Sequence, residues 1–262
     1  MTSHFKTALL LNIGNTNTEA AVLKKDVLLS PCSTFPTKVL GQSPENFPKI
    51  LTENLSIPWI VSSVVPSVEK SLRSAKHPDT LLFISPESAR DIDFSGVDTT
   101  TLGADRVANS AAAVELDLTP VIILDCGTAI TVEIIDSDKR FSGGAILPGR
   151  KMMRRSLADS TDQLPYINTY PASPPSPGKN TEESIVFGID AGLIGAITYL
   201  LQTTANNYPQ ESAFTKVVTG GDRNYFADNI AELEKAPSDF TMQGLAHIAR
   251  RLPSRIFIPP ER

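Results

Sequence analysis

Apolar residues fall along this chain in two alternating patterns, short unbroken runs and helical spacings. Residues 8–11 are all apolar and predict a buried strand. Asn12 interrupts the run, Gly14-Asn15-Thr16-Asn17 makes a tight turn, and 18–23 predict a second strand. Residues 27–29 predict a third. Phe47, Ile50, Leu51 and Leu55 share one helical face and predict a helix over 43–55. Residues 59–65 predict a strand, Pro66 opens a helix with Val68, Leu72 and Ala75 on one side, and 80–84 predict another strand. The acidic stretch 85–102 has no period. It predicts a loop with one short extended piece, and loops of this length in compact domains are mostly functional. From Gly103 a helix follows. Its apolar face, with Ala108, Ala111 and Ala112 beside Val107 and Val114, is small enough to pack close to a neighbour.

The second half runs the same way. Residues 121–124, 129–135 and 141–146 predict strands, with Ser137-Asp138-Lys139 turning between the last two. Gly143-Gly144 suggests backbone approached closely by another group. Arg150, Lys151, Arg154 and Arg155 then recur at helical spacing; they face phosphates, a partner subunit, or only solvent. Residues 165–180 are proline-rich and irregular. Residues 181–201 predict the longest helix, with Ile185, Ile189, Leu193, Ile197 and Leu201 every fourth residue. Gly188, Gly192 and Gly195 lie inside it, each costing about 1 kcal/mol relative to alanine, which implies something close against them. Residues 216–219 predict a strand, Gly220-Gly221-Asp222 a turn, and 239–252 a final helix.

The hairpin recurs. Leu11-Asn12-Ile13-Gly14 aligns with Leu124-Asp125-Cys126-Gly127, and both Asn12 to Asp125 and Gly14 to Gly127 are separated by 113 residues. One copy in each half implies internal duplication. A glycine turn rich in hydroxyls and free N–H groups suits an anion such as phosphate; a plain hairpin turn uses the same residues. Three antiparallel strands followed by alternating helices and strands, twice over, give an α/β fold of two duplicated ribonuclease-H-like (actin-like ATPase) domains. The boundaries fall at 1–117 and 118–262, with a nucleotide cleft expected between the halves. Asp105 lies in the first turn of its helix. The helix dipole favours a carboxylate there with or without chemistry.

Composition narrows the class. The chain has 262 residues and a net charge of −5, which argues against a nucleic-acid surface. No unbroken run of about 18 apolar residues is present, so no membrane span is expected. The first residues lack the parts of a signal peptide, and the cytoplasm is the expected compartment. Cys32 and Cys126 make neither a disulfide framework nor a zinc site, and Cys126 reads as a small core residue. His4, His77 and His247 have no metal-ligand spacing. There is no Walker P-loop and no dinucleotide GxGxxG motif.

Seven pieces in order carry a resemblance. They are Ile13-Gly14-Asn15-Thr16, Ser62-Ser63-Val64-Val65-Pro66, Gly103-Ala104-Asp105-Arg106, Asp125-Cys126-Gly127-Thr128-Ala129, Gly143 to Gly149, Asn180-Thr181 with Ser184-Ile185 and Gly188, and Thr219-Gly220-Gly221-Asp222. Together they resemble the type III pantothenate kinases of the acetate/sugar kinase, Hsc70 and actin superfamily, over most of the chain. The resemblance implies ATP-dependent phosphorylation of pantothenate, the first step toward coenzyme A, by a homodimer that completes its site across the subunits. By position, Asn12, Ile13, Gly14, Asn15, Thr16, Asn17, Thr18 and Glu19 would form the first phosphate turn. Thr128, Gly220 and Gly221 would also meet ATP. Asp125 would hold a monovalent cation (K⁺ or NH₄⁺), with Mg²⁺ on the phosphates. Gly103, Ala104, Asp105, Arg106 and Thr181 would hold pantothenate, and Asp105 would be the base.

Two positions depart from that family's pattern. Asn12 stands where the family carries Asp, keeping the shape but removing a charge that Mg²⁺ sites lean on. The segment 98–102 lacks the Tyr and Pro often found before the Gly-Ala-Asp-Arg motif. Beside a working kinase, two other readings therefore stand: a kinase-like regulatory or binding protein weakened by Asn12, and a superfamily kinase with another small acceptor.

Overall fold

The computed structural model describes residues 7–29, 31–42, 46–74, 81–208, 211 and 213–252. Its chain forms two compact units. One takes the described residues of Met1–Thr119, Asp138–Ser142 and Ser238–Arg262, and the other takes those of Pro120–Ser137 and Gly143–Pro237.

Unit 1 is built on β1 (Thr7–Ile13), whose apolar run is buried on both faces. Such two-sided burial is why the strand reads as continuous rather than alternating. It lies between β2 (Asn17–Lys24), antiparallel, and β5 (Trp59–Ser63), parallel. The short β3 (Val27–Leu28) and β4 (Ser33–Pro36) both pair with β2, and β6 (Leu81–Phe83) pairs parallel to β5. One face buries Leu9, Leu11, Ile13, Trp59 and Val61 with Leu40, Leu51 and Leu72. Of the helix expected over 43–55, residues 43–45 lie outside the described residues, and the rest holds one α-helical turn, α1 (Lys49–Thr52). Pro48 holds Phe47 out of helical geometry, and the Asn54 amide donates to the Ile50 carbonyl at 2.8 Å, closing the turn. α2 (Pro66–Ser74) buries Val68 and Leu72 as expected; Ala75, His4 and His77 lie outside the described residues. In the polar loop, Asp93 bridges Arg140 and accepts the Phe141 N–H at 2.9 Å, which is the short extended piece. α3 (Ala104–Glu115) follows.

Unit 2 repeats the plan. β7 (Val121–Cys126) pairs antiparallel with β8 (Ala129–Ile135), and β9 (Phe141–Pro148) lies beyond it. α4 (Arg150–Asp159) and α5 (Thr181–Asn207) come next. β10 (Thr215–Thr219) pairs parallel with β7, α6 (Arg223–Asn229) follows, and β11 (Glu234–Lys235) pairs parallel with β10. Each unit thus centres on a strand with an antiparallel hairpin partner on one side and a parallel strand on the other. Asn12 sits beside Ser62 and opposite Glu19; Asp125 sits beside Thr219 and opposite Thr131. The duplication read from the sequence is therefore a duplication of sheet topology.

By length and average composition alone, α5 is long and apolar enough to cross a membrane, although it holds no unbroken apolar run. Its Ile185, Ile189, Leu193, Ile197 and Leu201 side is instead core of unit 2, and it carries the fully buried, ion-paired Asp190.

The chain then returns to unit 1 as α7 (Phe240–Arg251), which packs on α3. The contact is close because both partners are small. A Cβ at Gly244 would lie 1.8 Å from the Ala108 carbonyl oxygen. Gly244→Ala is expected to lower unfolding stability by about 1–3 kcal/mol through overpacking, read as a lower urea midpoint at unchanged slope.

Candidate active site

The first turn follows directly from β1. The Gly14 N–H donates to the Asn17 carbonyl at 3.0 Å, and Asn15, Thr16 and Asn17 are exposed. Beneath it lies Thr37, in a 3-10 turn (Thr37–Gly41) after β4. Its N–H donates to the Thr16 carbonyl at 3.0 Å and its hydroxyl to the Gly14 carbonyl at 2.6 Å. With that proton used, the Thr18 hydroxyl is the donor in the 3.0 Å contact between the two threonines. Ile13 and Thr18 are buried, so the outward face of this stretch is backbone plus Asn15, Thr16 and Asn17. Asn12 and Glu19 are half-buried at its base. No sequence motif announces Thr37; only the fold brings it under the turn.

The second turn is held from both sides. The Gly127 N–H donates to the Ala129 carbonyl at 3.0 Å, the Gly149 N–H to the Thr128 carbonyl at 3.1 Å, and the Asp222 N–H to the Cys126 carbonyl at 3.0 Å. Gly220 has φ +88°, and a Cβ there would sit 2.6 Å from the Asp125 Oδ1. A Cβ at Gly149 would sit 2.5 Å from the Gly127 carbonyl. Both positions therefore require glycine. Gly127 and Thr128 are exposed, Asp125 is half-buried, and Gly221 faces open space. Cys126 is buried, and burial pushes its thiol well above the ordinary value, as expected of a core residue rather than a nucleophile.

The basic residues of α4 divide. Lys151 and Arg155 are exposed, whereas Arg150 and Arg154 are buried. Neither of these two faces solvent or an open phosphate site. Arg150 meets both Asp190 oxygens through Nε at 3.0 Å and Nη2 at 2.8 Å, and Arg154 Nη2 meets both at 2.9 Å. Arg150 Nη1 also reaches Asp222 at 3.4 Å, and its guanidinium stacks 3.7 Å from the Tyr225 ring centre. Asp190, the acid that draws both arginines inward, sits unannounced within an apolar helix.

Asp105 lies one residue into α3, after the extended Gly103. Burial raises its carboxyl pKa, while the Arg106 N–H, donating at 2.8 Å, and the Arg106 charge oppose the shift. The Arg106 guanidinium lies 5.3 Å from the Phe141 ring centre. Gly103 abuts Val64, whose N–H donates to the Ile13 carbonyl at 3.1 Å, so this end of α3 adjoins the end of β1. α7 fixes the rest of α3. Thr241 donates to Asn109 at 2.8 Å, and the ring nitrogens of buried His247 meet Glu115 at 2.6 Å and Asp91 at 2.7 Å. The hydrogen bond with His247 holds Asp91 below the usual carboxylate range. Glu115 also lies low: burial alone would raise it, but His247, Arg250 and Arg251 outweigh that.

Thr181 is exposed at the start of α5, where Asn180 caps the helix by accepting the Glu183 N–H at 2.9 Å. It borders an open groove of about 420 Å³ lined by Leu157, Leu164, Ile185 and Ile189. The close neighbours expected for Gly188, Gly192 and Gly195 are absent among the described residues: a Cβ at each would meet none of their atoms within 4 Å. Among the described residues, no group of three or more His, Cys, Asp or Glu side chains is placed to hold a metal by itself. A divalent ion would need oxygens from a bound phosphate as well, the usual habit of Mg²⁺.

The sequence model of the type III pantothenate kinase family matches residues 8–203. The chain is 31% identical over 255 residues to a type III pantothenate kinase of Kosmotoga olearia, covering 93% of this chain and 96% of that one. It is 33% identical over 193 residues to the enzyme so named in Rubrobacter xylanophilus, covering 71% and 73%. Among solved structures, a Baf family protein from Campylobacter jejuni matches with a TM-score of 0.55 at 21% identity, over 92% of this chain and 96% of that one. The ethanolamine utilization protein EutJ from Carboxydothermus hydrogenoformans matches with a TM-score of 0.54 at 13% identity, over 95% and 92%. These last two show a shared fold.

Proposed function

Since the chain belongs to the type III pantothenate kinase family, we propose that it transfers the γ-phosphoryl group of ATP to the primary hydroxyl of pantothenate, giving 4'-phosphopantothenate and ADP. The observation that carries the chemistry is Asp105, a desolvated carboxylate at the start of α3 beside the end of β1. A raised pKa makes it a better proton acceptor than an exposed aspartate. The Asp105 carboxylate takes the hydroxyl proton as the new O–P bond forms and the bond from Pγ to ADP breaks. Gly103, Ala104, Arg106 and Thr181 bind pantothenate.

The two turns bind phosphate oxygens. Asn12, Ile13, Gly14, Asn15, Thr16, Asn17, Thr18 and Glu19 form one, with Thr37 as its rigid floor. Thr128 serves the other, with Gly220 and Gly221 beside it. Rigidity matters because phosphoryl transfer is catalysed mainly by positioning and charge stabilisation. Asp125 is half-buried, and its carboxylate suits a monovalent cation, K⁺ by coordination or NH₄⁺ by accepting its N–H groups. Mg²⁺ supplies charge neutralisation on the phosphates when bound. Homodimerisation is supported by the open glycine face of α5 and by Ile146 and Tyr199, each 67% exposed.

The test is an ADP-release assay with ATP, Mg²⁺ and pantothenate, run in K⁺ and again in Na⁺. Pantothenate-dependent release that requires K⁺ is expected. Release independent of pantothenate would assign a different acceptor. Asn12→Asp is expected to leave the Mg²⁺-dependent rate equal or higher, because it adds a carboxylate where metal-bound phosphates approach. A fall of tenfold or more would mean that the turn is built around the amide.

A further inference from the structure

The segment 220–222 touches the second turn in two ways, through Asp222 and through Gly220. The Asp222 N–H holds the Cys126 carbonyl at 3.0 Å, and Gly220, two residues earlier, packs its bare Cα against the Asp125 oxygen. The Asp222 carboxylate points elsewhere, to Arg150 at 3.4 Å, and its side chain is 31% exposed. Arg150 is not an ordinary surface partner. It follows Gly149, which grips the Thr128 carbonyl, and its guanidinium is fixed by Asp190 below and Tyr225 alongside. The two chain segments that clasp the turn, at Gly149 and at Gly220, are therefore tied to each other by one ion pair, Arg150 with Asp222. The buried anchor of that tie is Asp190 on α5.

We infer that Asp222 is a positioning residue for this turn: its carboxylate, locked by Arg150, sets the spacing of Gly149 and Gly220 and so the placement of Asp125 and Thr128 toward cation and phosphate. This rests on reading that turn as the cation- and phosphate-binding element. A bidentate, stacked arginine suits the task because its fork fixes direction as well as distance, which a lysine does not. A partner that orients a ligand residue without touching the ligand commonly changes metal affinity by about 10–100-fold when removed.

The experiment compares the intact chain with Asp222→Asn, which keeps the backbone N–H and the shape but removes the charge. Calorimetry measures ATP affinity at several K⁺ concentrations, and steady-state assays give KM for ATP and for pantothenate. Loss of roughly tenfold in ATP affinity is expected, together with a similar rise in the K⁺ concentration giving half-maximal binding. KM for pantothenate should change less than twofold. Arg150→Lys should produce the same split, and amide exchange at Cys126–Thr128 should quicken in both variants. Unchanged ATP and K⁺ binding in a folded Asp222→Asn protein would overturn the inference. So would an equal loss for ATP and pantothenate, the mark of general loosening. A wild-type chain that binds ATP with K⁺ but ignores pantothenate would overturn the proposed acceptor and leave the Asp222 comparison fully readable.

Discussion

Asp105→Asn is expected to lower pantothenate-dependent turnover by about 10²–10⁴-fold, the usual worth of a positioned general base, while ATP binding stays within a few-fold of wild type. The amide keeps the shape and can still accept the Arg106 N–H now bound at 2.8 Å, but it cannot take the hydroxyl proton. A second signature separates this role from a structural one. Burial raises the Asp105 pKa, so the folded state holds its proton more tightly than the unfolded chain does. Between the ordinary carboxylate value and the raised one, stability therefore falls as pH rises, and ionised Asp105 is a net cost at neutral pH. Asp105→Asn should consequently unfold at an equal or higher temperature while losing activity. In the wild type, kcat/KM should fall on the acid side at a higher pH than an exposed aspartate would give. Retained turnover, or a Tm several degrees lower, would remove Asp105 as the base.

Asp190→Asn is expected to cost about 3–5 kcal/mol of stability, because it leaves two buried guanidinium groups without their shared counter-charge. Arg150 and Arg154 are 2% and 0% exposed, and Asp222, partly solvated and 3.4 Å from one of them, offsets little of that charge. Urea unfolding at neutral pH checks the figure. A triple variant, Arg150→Met with Arg154→Leu and Asp190→Leu, should recover most of the loss, since well-packed apolar residues often match or exceed a buried ion pair. It should not recover ATP and K⁺ binding, because Arg150 would no longer hold Asp222. Recovery of both would mean that the arginine pair serves stability alone.

How much of this was legible in the sequence depended on the range of the interactions. β1, β7 and the two turns announced themselves through apolar runs closed by Gly and polar residues, a local signal read directly from the pattern. The repeat made the sheet order inferable, since a duplicated hairpin needs a duplicated partner strand. β4 and β11 did not show: the first is Ser-Thr-Phe-Pro with one buried side chain, and the second is two residues long. Over the described residues 46–55 the expected helix shortens to α1, because apolar spacing does not register Pro48, which limits the residue before it. Within the candidate site, Asp105 and Asp125 were visible through their flanking glycines. Thr37 and Asp190 were not. Each acts on groups 19 to 40 residues away, and no spacing rule links a threonine to a turn on another strand or an aspartate to arginines on another helix. In the sequence Arg150 and Arg154 make a face toward solvent, phosphate or a partner because, without Asp190, their burial has no motive.

The return of α7 to unit 1 has a consequence for synthesis. α3, which carries Asp105, leaves the ribosome more than a hundred residues before the helix that walls it. At ordinary translation rates that interval is about 6–25 s. Unit 2, apart from the short excursion Asp138–Ser142, is contiguous and complete once residue 237 has emerged. The half of the molecule made second is thus the first that can finish folding. Until then the alanine face of α3 stands uncovered, and a chain that stops short of α7 would keep the second turn, which belongs to unit 2, but would lack the helix that packs on both α3 and β1.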